Sequence, residues 1–97
     1  MTVVWSPLAV DRAVEAARRI AVDNPEAAQR WAEDLLEKVE RLGRFPESGR
    51  AVSEVSRANV REIIHAGYRV IYRVQRTRVL ILTVGHSRRL FDPGEVT

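Results

Sequence analysis

The sequence predicts an α+β fold of order β-α-α-β-β-β, an antiparallel sheet with a helical hairpin packed on one face, and three observations predict it. Two consecutive apolar stripes at helical spacing each follow a capping residue and a proline, Ser6-Pro7 and Asn24-Pro25. Beyond about residue 59 the apolar period changes to two. The β-rich runs that result are separated by Ala66-Gly67 and by Gln75-Arg76-Thr77-Arg78, spacings suited to two consecutive hairpins.

Taken in order, Thr2 to Trp5 is short, β-branched and aromatic and stops at a turn signal, so it reads as a strand. Val10, Ala13, Val14, Ala17, Ile20 and Ala21 then recur at three- and four-residue steps, with Arg12, Glu15, Arg18 and Arg19 between them. That is the pattern of an amphipathic helix with its stripe in the core. Asn24-Pro25 ends this helix and opens the next after a very short connection, which implies an antiparallel hairpin. Ala28, Trp31, Leu35, Val39 and Leu42 form the second stripe, and Gly43 supplies the stop. Arg44 to Arg50 is rich in turn residues and reads as a loop, continuing irregularly to about Ala58. Three strands follow, Val60 to His65, Tyr68 to Val74 and Val79 to His86, as a meander to which the N-terminal strand is added.

With 97 residues, the chain has room for one domain, residues 1–97. It contains no cysteine, so disulfides and thiolate metal sites are excluded. The first residues lack a basic region followed by a long apolar stretch, and the longest apolar run, Val79 to Leu82, is too short for a bilayer. A cytoplasmic product without membrane association is expected. The net charge of +3 is unevenly placed: residues 59–97 carry seven Arg against Glu62, Asp92 and Glu95. Every basic residue except Lys38 is Arg, the side chain suited to bidentate phosphate or carboxylate contacts, although GC-rich coding would produce the same bias.

Alternation places Tyr68, Val70, Tyr72 and Val74 on one face of their strand, the expected core face, and Arg69, Ile71 and Arg73 on the other. A polar sheet face holding Arg61, Arg69 and Arg73, extended at the end of the last strand by His86, Arg88 and Arg89, would make a concave cationic surface for phosphates or an acidic protein segment. The same arginines would serve equally as a solvated face with rim salt bridges. His65 and His86 are the only histidines. Imidazole suits proton transfer at neutral pH, but two histidines without a third ligand argue against a metal centre. Phosphate-loop, nucleophile-elbow and dinucleotide motifs are absent, and no cofactor is implied.

The runs Val60-Arg61-Glu62-Ile63-Ile64, Gly67-Tyr68-Arg69-Val70-Ile71-Tyr72-Arg73-Val74 and Val79 to Val84, closed by Gly85-His86-Ser87-Arg88-Arg89, resemble the RelE/ParE toxin superfamily of type II toxin-antitoxin systems. The loop Phe45-Pro46-Glu47-Ser48-Gly49-Arg50 is similar to that of ParE-type members. The resemblance spans nearly the whole chain and implies one of two activities. RelE-like members are metal-independent endoribonucleases that cut messenger RNA in the ribosomal A site with basic residues and often a Tyr or His. ParE-like members share the fold, generally lack that set, and poison DNA gyrase.

Arg69 matches the strand arginine of the ribonuclease pattern, and Arg61 a basic position on the preceding strand. Ser87 stands where a catalytic arginine is expected, and Phe91 offers no hydroxyl near the usual tyrosine. The expectation is therefore a ParE-like toxin that inhibits gyrase by protein contact. In that reading Arg61, Arg69, Arg73, His86, Arg88 and Arg89 are candidates for contacts with target or antitoxin. The alternative is a ribosome-dependent mRNA endoribonuclease using His86, Arg69, Arg61 and Arg88. A toxin-fold protein that only binds an antitoxin-like partner is a third reading. In each case the resemblance implies a cognate antitoxin whose C-terminal segment wraps this chain in a hetero-oligomer.

Overall fold

The computed structural model describes residues 1–96. β1 (Thr2–Trp5) leads to α1 (Pro7–Asp23) and α2 (Pro25–Glu40), and a 3-10 turn (Arg41–Gly43) closes the helical half. β2 (Arg50–Ala51), β3 (Val60–His65), β4 (Tyr68–Val74) and β5 (Arg78–His86) follow, with a last 3-10 turn at Pro93–Val96. The sheet order is β1-β5-β4-β3-β2. β1 lies parallel to β5, and every other neighbouring pair is antiparallel. The short β2 is an element that the expected irregular loop did not include. Its two residues pair with Arg61 and Glu62.

Capping chemistry sets the helix ends as the sequence implies. The Ser6 hydroxyl accepts from the Ala9 amide at 3.0 Å and donates to the Leu82 carbonyl at 2.9 Å, so one side chain starts α1 and ties it to β5. Asn24 alone joins the helices: its amide donates to Ile20 O, and its side chain accepts from the Ala27 amide. The β3–β4 hairpin turns through Ala66 and Gly67, both at positive φ, 43° and 85°, as a type I′ turn requires.

The core lies on both faces of the sheet. Trp31, Leu35, Val39, Val70, Tyr72 and Ile81 belong to the cluster between sheet and helices. A second cluster on the outer face joins Val52, Val60, Ile71, Leu82, Phe91 and Val96. The expected polar outer face is therefore corrected: loop 52–58 and the C-terminal segment fold over it, and Ile71 is fully buried there. A register shift between β4 and β5 at Ile71/Tyr72 also breaks the period of two. Val79 and Ile81 face the helices, but so does Val84, three residues on, while Leu80 and Leu82 join the outer cluster.

Candidate functional site

Strand pairing divides the candidate cations between the two faces. Arg61 lies opposite Tyr72, and His86 opposite Tyr68, so both share the helix-facing side. Arg69 lies opposite Ile64 and Gly85, and Arg73 opposite Val60, on the outer side. The expected single cationic face of Arg61, Arg69 and Arg73 extended by His86 is thus corrected. Sequence alone left the register open, and the register decides the grouping.

Arg61 is spent on the chain itself, donating to the carbonyls of Gly49 at 2.9 Å and Glu47 at 3.5 Å. Arg69 is 5% exposed and sits in a closed ionic cluster. Its guanidinium donates to both oxygens of Glu54 at 2.7 and 2.8 Å, to Glu62 at 2.6 Å and to the Arg89 carbonyl at 3.0 Å. Phe91 covers it, with the ring centroid 5.0 Å from the guanidinium carbon. Glu62 also takes Arg50 at 3.0 Å, and Glu54 takes the Phe91 amide at 2.8 Å. Two carboxylates therefore balance two guanidiniums.

The Arg69 hydrogen bonds hold the Glu54 carboxyl well below the usual carboxylate range, at about 2, against the opposing effect of its own enclosure. Glu54, foremost through those same bonds, pushes the Arg69 guanidinium above its ordinary value. Both groups stay charged throughout the neutral range, so the cluster is a structural clasp that moves no proton there. Sequence reasoning missed Glu54, which stood in a segment read as loop. Its only signal was a lone carboxylate between two apolar positions, Val52 and Val55.

The histidines are separate from this cluster. His65 is buried and its Nε2 donates to the Trp31 carbonyl at 3.0 Å, which fixes that nitrogen as protonated. His86 is exposed, accepts at Nδ1 from the Arg88 amide at 3.2 Å, and meets the Tyr68 ring edge-on at 5.8 Å between centroids. It borders a small polar cleft with Arg12, Arg19 and Arg89. There Glu95 pairs with Arg12 at 2.8 Å and with Arg89 at 3.4 Å. Arg88 is exposed in the turn after β5.

A larger feature is apolar. Trp5, Val10, Val14, Trp31, Leu35 and Leu36 line an open groove between the helices beside β1. Val10, Val14 and Leu36 are 45%, 43% and 59% exposed. The sequence placed Val10 and Val14 in the core, and this is corrected too. The fully enclosed positions of α1 are Ala9 and Ala16, whose small side chains let the helix lie close on the sheet and leave the valines facing outward. The signal was present in an apolar arc too broad for one buried stripe. Among the described residues no group of three metal-ligating side chains occurs, and no helix is long and apolar enough to cross a membrane.

A family model described as ParE toxin of type II toxin-antitoxin system, parDE, matches residues 3–91. Among solved structures, a chain of the chromosomal ParDE TA system from P. aeruginosa is similar over 89% of this chain and 95% of its own, with a TM-score of 0.74 and 21% identity. No curated protein matches.

Proposed function

The chain belongs to the ParE toxin family of type II toxin-antitoxin systems, and from that premise we propose that it inhibits DNA gyrase by protein-protein contact as a single domain acting in the cytoplasm. The observation that carries this reading is the position of Arg69. A ribonuclease of this fold would need that guanidinium free for a phosphate, with His86 beside it for proton transfer. Instead Arg69 is saturated by Glu54 and Glu62, and His86 lies on the opposite face of the sheet. Breaking such a cluster to admit a phosphate would strand buried charge, a cost of several kcal/mol. Contact between proteins needs no such rearrangement. Arg88, exposed in the turn after β5, is a cation there that would meet a partner.

The family implies an antitoxin partner. We assign its amphipathic helix to the groove between α1 and α2, where Val10, Val14 and Leu36 offer the apolar surface such a helix covers. The reading is tested with purified protein in two assays. Supercoiling and cleavage by gyrase are expected to be perturbed at micromolar protein, and programmed ribosomes are expected to show no A-site cleavage. Unchanged gyrase activity at micromolar excess would refute it, and A-site cleavage would restore the ribonuclease.

A further inference from the structure

The loop between the helical half and β2 presents an aromatic side chain that the fold neither buries nor leaves loose. Phe45 is 60% exposed, while the backbone around it is held at nearly every residue. The Phe45 amide donates to Arg41 O at 2.9 Å, and its carbonyl accepts from the Ser48 amide at 3.1 Å. Beneath the loop the hydroxyl of Tyr72, a fully buried residue, donates to Pro46 O at 2.8 Å and accepts from the Gly49 amide at 2.9 Å. Arg61 clamps the carbonyls of Glu47 and Gly49 from the neighbouring strand. Residue 49 must be glycine, since a Cβ there would meet the Tyr72 hydroxyl and lie 2.7 Å from Glu62 O.

A buried tyrosine hydroxyl and a strand arginine are thus committed to one conformation of a surface loop. Packing gains nothing from this at Phe45 itself, which would be buried if the loop existed only to close the fold. Preorganised loops with an exposed aromatic are the form that binding anchors take, because the ordering entropy is lost on folding rather than on association. The surroundings are cationic: Arg44 is exposed beside Phe45, and Arg61 adds a second positive charge at the loop carbonyls against the one carboxylate of Glu47, while Arg50 is paired with Glu62.

We propose that loop 44–49 is the surface this chain presses into its target protein, with Phe45 entering an apolar pocket whose rim carries carboxylates. The inference rests on the reading of the chain as a toxin acting by protein contact, and it deepens that reading by naming the contact. The loop is separate from the interhelical groove assigned to the antitoxin.

The test compares the parent with Phe45→Ala, Phe45→Tyr, Arg44→Glu and Tyr72→Phe in gyrase supercoiling and in growth arrest on induction, with melting curves and sedimentation as controls. Phe45→Ala is expected to melt like the parent and to need roughly tenfold more protein or more for half-inhibition. Phe45→Tyr is expected to retain most activity, and Arg44→Glu to lose activity as Phe45→Ala does. Tyr72→Phe is expected to weaken inhibition with Phe45 intact, alongside faster amide exchange at Gly49. Inhibition by a folded Phe45→Ala at the parent's concentration overturns the proposal. A parent that arrests growth without touching gyrase removes the gyrase reading only, and growth arrest then decides the loop: a folded Phe45→Ala that arrests as fully overturns it. A parent inert in both assays overturns both. Loss of a parent dimer in Phe45→Ala overturns it as well, making the loop a self-association surface.

Discussion

Replacing Glu54 with Gln separates the charge of the Arg69 clasp from its shape. The Glu54 carboxyl sits at about 2 in the fold against an ordinary 4.5, so the ionised form is bound to the folded state. A carboxyl depressed in this way stabilises fully above its unfolded value, and the contribution is lost as pH falls from about 4.5 to about 2. At roughly 1.4 kcal/mol per pH unit, the interval corresponds to about 3 kcal/mol. Its side chain is 9% exposed, so solvent screens little of this. A glutamine has one oxygen for the four donors that Glu54 now receives, two from Arg69, one from the Phe91 amide and one from the Ser53 hydroxyl, so its own NH₂ must face at least one of them. Arg69 keeps Glu62, which moderates the loss.

The expected outcome at pH 7 is a loss of about 2–3 kcal/mol in denaturant unfolding. For a domain of this size that lowers the melting temperature by roughly 10–20 °C. The difference between the two proteins should shrink as pH falls through that window, and the Phe91 amide should exchange faster in the variant. A variant within about 0.5 kcal/mol of the parent at pH 7, or one whose deficit is independent of pH between 5 and 2, would refute the reasoning.

Three further outcomes are expected. Ala66→Gly should stabilise by about 0.5–1 kcal/mol in chemical denaturation, because Ala66 holds a φ of 43° that costs a side chain with a Cβ. Gly85→Ala should destabilise by about 1–3 kcal/mol, since the added carbon would lie 2.5 Å from the Phe91 ring, and near-ultraviolet and amide-exchange signals of the C-terminal segment should change first. Leu36→Asp should leave the melting temperature within a few degrees, Leu36 being 59% exposed, while abolishing capture by the product of an adjacent antitoxin-like reading frame in a co-purification assay.

The sequence made the order of elements legible because its signals are local. Ser6-Pro7 and Asn24-Pro25 cap the helices they announce, and Ala66-Gly67 turns the hairpin it announces. What stayed hidden was pairwise and non-local. Arg61, Arg69 and Arg73 alternate plainly along their strands, but only the register of β3 against β4 shows that Arg61 faces away from the other two. The shift at Ile71/Tyr72 carries no sequence mark and moves Val84 to the helix side. Arg69 reads as a free cation until Glu54, 15 positions away, is brought beneath it. Val10 and Val14 read as core because helical periodicity identifies an apolar arc without saying which part a sheet will cover.

The pairing of β1 with β5 sets an order for folding. Thr2–Trp5 precedes both helices, yet among the described residues its only sheet neighbour is β5, in register with residues 78–81. Ser6, which starts the first helix, is tied to Ile81 and Leu82 of that same strand. The outer cluster waits still longer, for Phe91 and Val96. The two helices and the β3–β4 hairpin rest on contacts close in sequence, whereas the sheet that unites them closes only through the distant pairing of β1 with β5, the slow kind of contact to form.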